Sequence, residues 1–206
     1  PQTMPAHDLV VEGSFSVNNY TITYMVDGKS YKTASYAYSD TIIVEDMPQR
    51  EGYTFSGWSE IPQTMPANNV TITGSFSINS YTITYMLDGE QYHTTSIVYN
   101  EDIPYFEEPQ KEGYTFSGWS EIPQTMPAND LVIEGSFIVN SYTITYTVDG
   151  KVYKTVTYNY GETIIAEEDP KKTGYVFSGW VGLPETMLMP AEDMIVIGIF
   201  AALNGS

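Results

Sequence analysis

The chain repeats itself at one fixed interval, and no other feature limits its possible folds so strongly. Gly52-Tyr-Thr-Phe-Ser-Gly-Trp58 returns as Gly113-Tyr-Thr-Phe-Ser-Gly-Trp119 and as Gly174-Tyr-Val-Phe-Ser-Gly-Trp180, and Tyr20-Thr-Ile-Thr-Tyr24 returns at Tyr81 and Tyr142 with the same step. A fixed period means one small unit copied in tandem, not one large core. Residues 1–19 repeat residues 62–80 closely. The expected division is therefore 1–19 as the C-terminal part of a preceding repeat, then repeats at 20–80, 81–141 and 142–206, the last with an atypical end.

Units this small bury only roughly 60% of the surface their unfolded chains expose, so each is marginal alone. Without cysteine, neither disulfides nor thiolate metal sites can brace them. The 18 Tyr, 8 Phe and 3 Trp supply apolar area in their place.

Within a unit the pattern is that of strands. Tyr81, Ile83, Tyr85 and Leu87 alternate with Thr82, Thr84 and Met86, the period of two of a strand with one buried face. Asp88-Gly89 follows, in register with Asp27-Gly28 and Asp149-Gly150, and predicts a two-residue hairpin turn with positive φ at both positions. The second strand carries Tyr92, Thr95, Ile97 and Tyr99 and ends in a turn at Asn100, matched by Ser39 and Gly161. A short segment ending in Pro then crosses the sheet, either extended or as one helical turn. Tyr114–Trp119 is expected as a third strand, the Ile-Pro-Gln-Thr-Met-Pro-Ala stretch as a loop plugged in by its Met, and Val70–Ile78 as a fourth strand with a bulge at Gly74.

Two places depart from plain repetition. Apolar residues before Asn79-Ser80 fall on even numbers (Val70, Ile72, Phe76, Ile78) and after it on odd ones (Tyr81, Ile83, Tyr85), so the inward face changes there. No flexible linker intervenes, which predicts a stiff joint made by a kinked strand or a tight turn. At the end of the third repeat, a two-residue insertion in Thr186–Pro190 precedes Ile195, Ile197, Ile199 and Leu203, where the first repeat has Thr71, Thr73, Ser75 and Asn79. Both faces of that strand are apolar, and a following domain or a second chain is expected to cover it.

The charge of −18 argues against nucleic acid and anionic membranes as partners, and no apolar run is long enough to insert in a membrane. Trp58, Trp119 and Trp180 are candidates for an aromatic sugar-binding platform, yet identical spacing in every copy favours core packing. Glu107 with Glu108, and Glu167 with Glu168, lack any defined basic or nucleophilic partner, so no catalysis is expected. His93 occupies the position of Lys32 and Lys154 and reads as a solvated face residue. No Asp-x-Asp-x-Asp-Gly loop occurs, no Lys stands at a core position in every unit for a Lys–Asn crosslink, and no cofactor is expected. Eight Lys and Arg, with none between Arg50 and Lys111, leave trypsin-like proteases few sites, which suits an extracellular setting.

Gly-Tyr-x-Phe-x-Gly-Trp, joined to an upstream Tyr-x-Ile-x-Tyr…Asp-Gly hairpin and a downstream Val-Thr-Ile-Thr-Gly-Ser-Phe strand, resembles the Listeria/Bacteroides repeat family, also called the internalin B-repeat. The resemblance covers all three repeats and the leading fragment. It implies a mainly β fold, β-rich α+β at most: small four-stranded β-grasp-like modules in tandem, arranged as an elongated rod on secreted or cell-surface bacterial proteins. It brings no catalytic residues. The leading expectation is a stiff extracellular stalk that displays neighbouring domains; the alternative is an adhesive module that binds host glycan or protein through repeated weak sites. A more distant one is the accessory region of a glycan-acting enzyme.

Overall fold

The computed structural model describes residues 3, 4 and 6–203; the outermost residues of the expected spans 1–19 and 142–206 lie outside them. Among the described residues every regular element is a strand, and no helix is long and apolar enough to cross a membrane. The chain divides into two compact units, residues 1–80 with 98–100 and residues 81–97 with 101–206.

Unit 1 holds β1 (Asn19–Val26), β2 (Lys29–Ala37), β3 (Tyr53–Phe55), β4 (Val70–Gly74) and β5 (Phe76–Ile78). β1 is central, antiparallel to β2 and parallel to β4, while β3 and β5 form a separate antiparallel pair. The alternation of β1 places Ile22 and Tyr24 inside, fully buried. Asp27 and Gly28 both have positive φ, 49° and 74°, so the hairpin turns within two residues and keeps the twist of its strands. Asp27 does more than turn the chain. Its N–H donates to the Gly74 carbonyl at 3.1 Å, and its Oδ1 accepts the Phe76 N–H at 2.9 Å. That side-chain acceptor takes the N–H of Phe76 just where the expected fourth strand divides into β4 and β5, at Ser75.

Two details correct the strand pattern read from sequence. The register shifts between Tyr24, opposite Lys32, and Met25, opposite Ser30, so Tyr31 is the extra residue of a bulge. The parity change from Tyr31 to Ala34 and Tyr36 follows from that. Gly74 is not the bulge: a Cβ there would overlap the Phe55 ring, so the glycine gives an aromatic side chain room against the strand. The crossing segment is extended, held by a bridge between Thr41 and Thr64 and anchored by buried Ile42. Met65 enters the core from the opposite loop with 1% of its surface exposed, joining Ile22, Tyr24, Ile42 and Ile72.

Unit 2 carries this plan twice. β6 (Ser80–Leu87), β7 (Glu90–Val98) and β9 (Leu131–Gly135) form the sheet β7-β6-β9, and β8 (Tyr114–Phe116) pairs with β10 (Phe137–Val139). β11 (Ser141–Val148), β12 (Lys151–Asn159), β13 (Tyr175–Val181) and β14 (Met194–Ala202) form one sheet in the order β12-β11-β14-β13. The third strand is three residues long in β3 and β8, ending before Trp58 and Trp119, and seven in β13, where it includes Trp180. The merger has a local cause. Ile199 replaces the serine at the break (Ser75, Ser136), so Met194–Ala202 is a nearly continuous run of strand formers; the N–H to serine Oγ bond at this position, Ile199 to Ser178 at 3.3 Å, is common to all three repeats. In the lengthened loop Met187, φ 52°, packs on the edge of the core, Leu188 faces outward, and Met189 takes the buried position of Met65 and Met126. Each repeat thus encloses its own cluster of buried side chains.

Candidate interaction surfaces

The three tryptophans are bound up in the packing of their own repeats. Trp58 is half-buried, edge-on to Tyr24 at 5.0 Å and to Phe55 at 4.9 Å, and its Nε1–H donates to the Glu45 carbonyl at 3.0 Å. Trp180 does the same with Tyr146, Phe177 and the Glu167 carbonyl. Trp119 meets Tyr85 and Phe116 equally, but its Nε1 has no hydrogen-bond partner among the described residues. Half-exposed Tyr31, Tyr92 and Tyr153 lean on these indoles, with ring centroids 6.0, 6.1 and 5.8 Å apart. An indole held edge-on by its own strands offers little of the open face that sugar stacking needs.

Two other sets of side chains stand at the period; the sequence reading aligned His93 with Lys32 and Lys154 but found the partners of neither set. Arg50, Lys111 and Lys172 lie over the rings of Tyr53, Tyr114 and Tyr175, with cation–centroid distances of 3.7, 4.0 and 4.1 Å. Their spacing, equal to the repeat period, was the available signal. The second set is a coupled exchange. Lys32 pairs with Glu45 at 2.6 Å and Lys154 with Glu167 at 2.7 Å, whereas the middle repeat has His93 and Phe106 in those places, stacked at 4.7 Å with 19° between planes. His93 is exposed, as its position implied, but it rests on a phenyl ring.

Electrostatics follow burial and pairing. Burial raises the hydroxyl pKa of Tyr24, Tyr85 and Tyr146 above the ordinary tyrosine value. The Phe200 N–H, then Lys172 at 3.3 Å, holds the Asp149 carboxylate below its usual range. Among the described residues no group of three metal-ligating side chains gathers.

The last strand is where the surface differs. Inward, Val196 is fully buried and Gly198 lies against Phe177 and Trp180. Outward, Ile195, Ile197 and Ile199 are 66%, 47% and 56% exposed, and Leu203 follows at 61%. Val176 and Val181 on β13 are exposed as well; Val181 is paired with Ile197 and Val176 with Ala201, which extends the same apolar face.

Small all-strand repeats, each with its own aromatic core, define a tandem-repeat protein of β modules. The pattern of the Listeria-Bacteroides repeat domain matches residues 20–76, 81–129 and 142–184, and the chain belongs to that family. It is similar to Internalin H of Listeria monocytogenes, 30% identical over 171 residues, with 75% of this chain and 29% of that protein covered. A protein of Evansella cellulosilytica is 25% identical over 193 residues, covering 84% of this chain and 29% of its own length. The chain thus spans under a third of the curated relatives it matches. Among solved structures, domains 3–4 of the Streptococcal High Identity Repeats in Tandem from a cell surface protein align at 13% identity with a TM-score of 0.28, covering 59% of this chain and 98% of theirs. Two B repeat units of the collagen-binding protein of Staphylococcus aureus align at 13% identity with a TM-score of 0.19, covering 89% and 75%.

Proposed function

We propose that the chain is a non-enzymatic, extracellular repeat region that spaces neighbouring domains of a bacterial surface or secreted protein. The observation that carries this reading is the joint inside unit 2. β10 ends at Val139 and β11 begins at Ser141, so one residue, Asn140, connects two complete repeats. Asn140 donates its N–H to the Gly113 carbonyl at 2.9 Å, its carbonyl accepts the Tyr160 N–H at 2.9 Å, and its Oδ1 accepts the Thr115 hydroxyl at 2.6 Å. A connection this short, with its polar groups bonded on both sides, supports repeats that keep a set orientation. Similarity to Internalin H over 75% of the chain supports the surface setting.

The test exploits the absence of native cysteine. Lys29→Cys and Lys151→Cys, both exposed beside hairpin turns, carry spin labels, and their distance distribution is measured. A single narrow distance agrees with a stiff spacer; a broad distribution, as for units on flexible tethers, contradicts it.

One observation favours an adhesive role beside this: the exposed apolar face of Ile195, Ile197 and Ile199. A following domain or a second chain seated there, or a host protein or glycan held by the array, accounts for it. Replacing the three isoleucines by threonine, the residue type at two of the matching positions in the first repeat, leaves a spacer intact and abolishes such an attachment.

A further inference from the structure

Three tyrosines stand at the end of the second strand of the repeats: Tyr38, Tyr99 and Tyr160. In unit 1, the Tyr99 N–H donates to the Asn79 carbonyl at 2.9 Å, and its ring meets Tyr53 edge-on at 6.1 Å. The ring closes over Gly52, where any Cβ would run into it. In unit 2, Tyr160 repeats this over Asn140, Tyr114 and Gly113, with the rings at 5.9 Å. Glycine at this site is thus the floor of a socket for a tyrosine ring, and Gly52 and Gly113 are both buried.

Tyr38 makes only half of the joint. Its N–H reaches the Asn18 carbonyl at 2.9 Å, but the residue is 53% exposed. A second side chain nearby in sequence is exposed in the same way. Residues 3–19 reproduce residues 125–141 almost residue for residue, and Phe15 corresponds to Phe137. Phe137 is half-buried against Tyr114 at 6.2 Å and Phe116 at 5.8 Å, whereas Phe15 is wholly exposed. Tyr160 and Phe137 are both covered by one strand of the pattern Gly-Tyr-x-Phe. Tyr38 and Phe15 lack the same thing.

The third repeat has the socket without an occupant among the described residues. Gly174 keeps the same φ, 79° against 74° and 75°; Tyr175 meets Phe200 at 6.3 Å as Tyr53 meets Phe76; and nothing described lies within 4 Å of a Cβ on Gly174. The socket's backbone geometry is therefore present where no described ring occupies it.

We propose that Tyr38 and Phe15 form a docking surface for the Gly-Tyr-x-Phe strand of the same repeat that residues 1–19 end, lying upstream of residue 1 in the same polypeptide. The tyrosine ring enters the glycine socket, and the phenylalanine packs on the tyrosine and phenylalanine of the incoming strand. Curated relatives about three times the length of this chain leave ample room for such a repeat. This docking rests on the same kind of joint as the spacer reading but is read by the reactivity of single side chains and not by a distance between repeats, so the two failures are distinguishable.

The test lengthens the whole chain by placing a copy of residues 81–122 ahead of Pro1, which completes the leading fragment into a full repeat. Hydroxyl-radical footprinting then reads each aromatic side chain. In the chain as it stands, Tyr38 and Phe15 are expected to react several-fold faster than Tyr160 and Phe137. In the lengthened chain both fall to the rates of those counterparts, and Tyr38→Ala then exposes the added socket tyrosine. If Tyr38 or Phe15 keeps its reactivity in the lengthened chain, the proposal is wrong. Tyr160→Ala in the present chain is the internal check, since Tyr114 must become more reactive; an unchanged Tyr114 overturns the socket itself.

Discussion

Single residues in this chain act at several places at once because each is copied with the period. Gly113 and Gly174 are the cleanest comparison: both have positive φ, 75° and 79°, but only Gly113 lies under a tyrosine ring. Gly174→Ala is expected to cost about 1 kcal/mol, the ordinary penalty of a left-handed alanine. Gly113→Ala adds the displacement of Tyr160, about 1–3 kcal/mol more by the measure of overpacked sites. Urea unfolding of the two variants against the parent chain reads the difference, and equal costs mean that the ring does not seat. Asp149 yields a prediction in pH. Its folded pKa lies below the unfolded value, so its contribution is complete above the ordinary aspartate range and disappears as pH falls through the folded pKa. The stability gap between the parent chain and Asp149→Asn, measured by denaturant titration, should therefore close on acidification below about pH 4. Tyr146 gives the opposite sign. Its folded pKa is raised, so its contribution is full below about pH 10 and lost as pH climbs through the folded value. Absorbance titration should find the three buried tyrosines ionising last, together with unfolding.

At the scale of elements, the methionine plug is what joins the Pro-rich loop to the strands. Met126 is 1% exposed and ties the Pro-rich loop to the core through Ile83, Tyr85 and Ile133, next to the bridge between Asp102 and Thr125. Met126→Ala should cost about 2–5 kcal/mol, with the earliest loss of amide protection at Met126 and Ile103, which bond the Glu101 and Gln124 carbonyls. Uniform loss across the repeat instead would show that the loop is not held by its side chain. Much of this element plan was legible beforehand. Alternation in Tyr-Thr-Ile-Thr-Tyr, positive φ at Asp27-Gly28, and the turns at Ser39, Asn100 and Gly161 all follow from short-range rules that depend on neighbouring residues alone. What escaped was set by distant contacts. The bond from Phe76 to Asp27 spans 49 residues, and the reason for Gly74 is the ring of Phe55, on another strand. The exchange of Lys32 and Glu45 for His93 and Phe106 becomes visible only when the second strand and the crossing segment are laid side by side. In the candidate surfaces, the doubly apolar last strand was readable from parity, while the basic residues clipped over Tyr53, Tyr114 and Tyr175 were seen only as scarce protease sites.

For the molecule as a whole, three aromatic cores in sequence and the one-residue joint between the second and third repeats make a plan that can be lengthened by copying. The central claim is the spacer role proposed above, and solution X-ray scattering on the chain at physiological salt tests it most directly. A compact protein of 206 residues has a radius of gyration of about 17 Å. The account predicts a value well above that, with a pair-distance distribution that peaks at the width of one repeat and trails to long distances. A symmetric distribution with a radius of gyration at the compact value would contradict it.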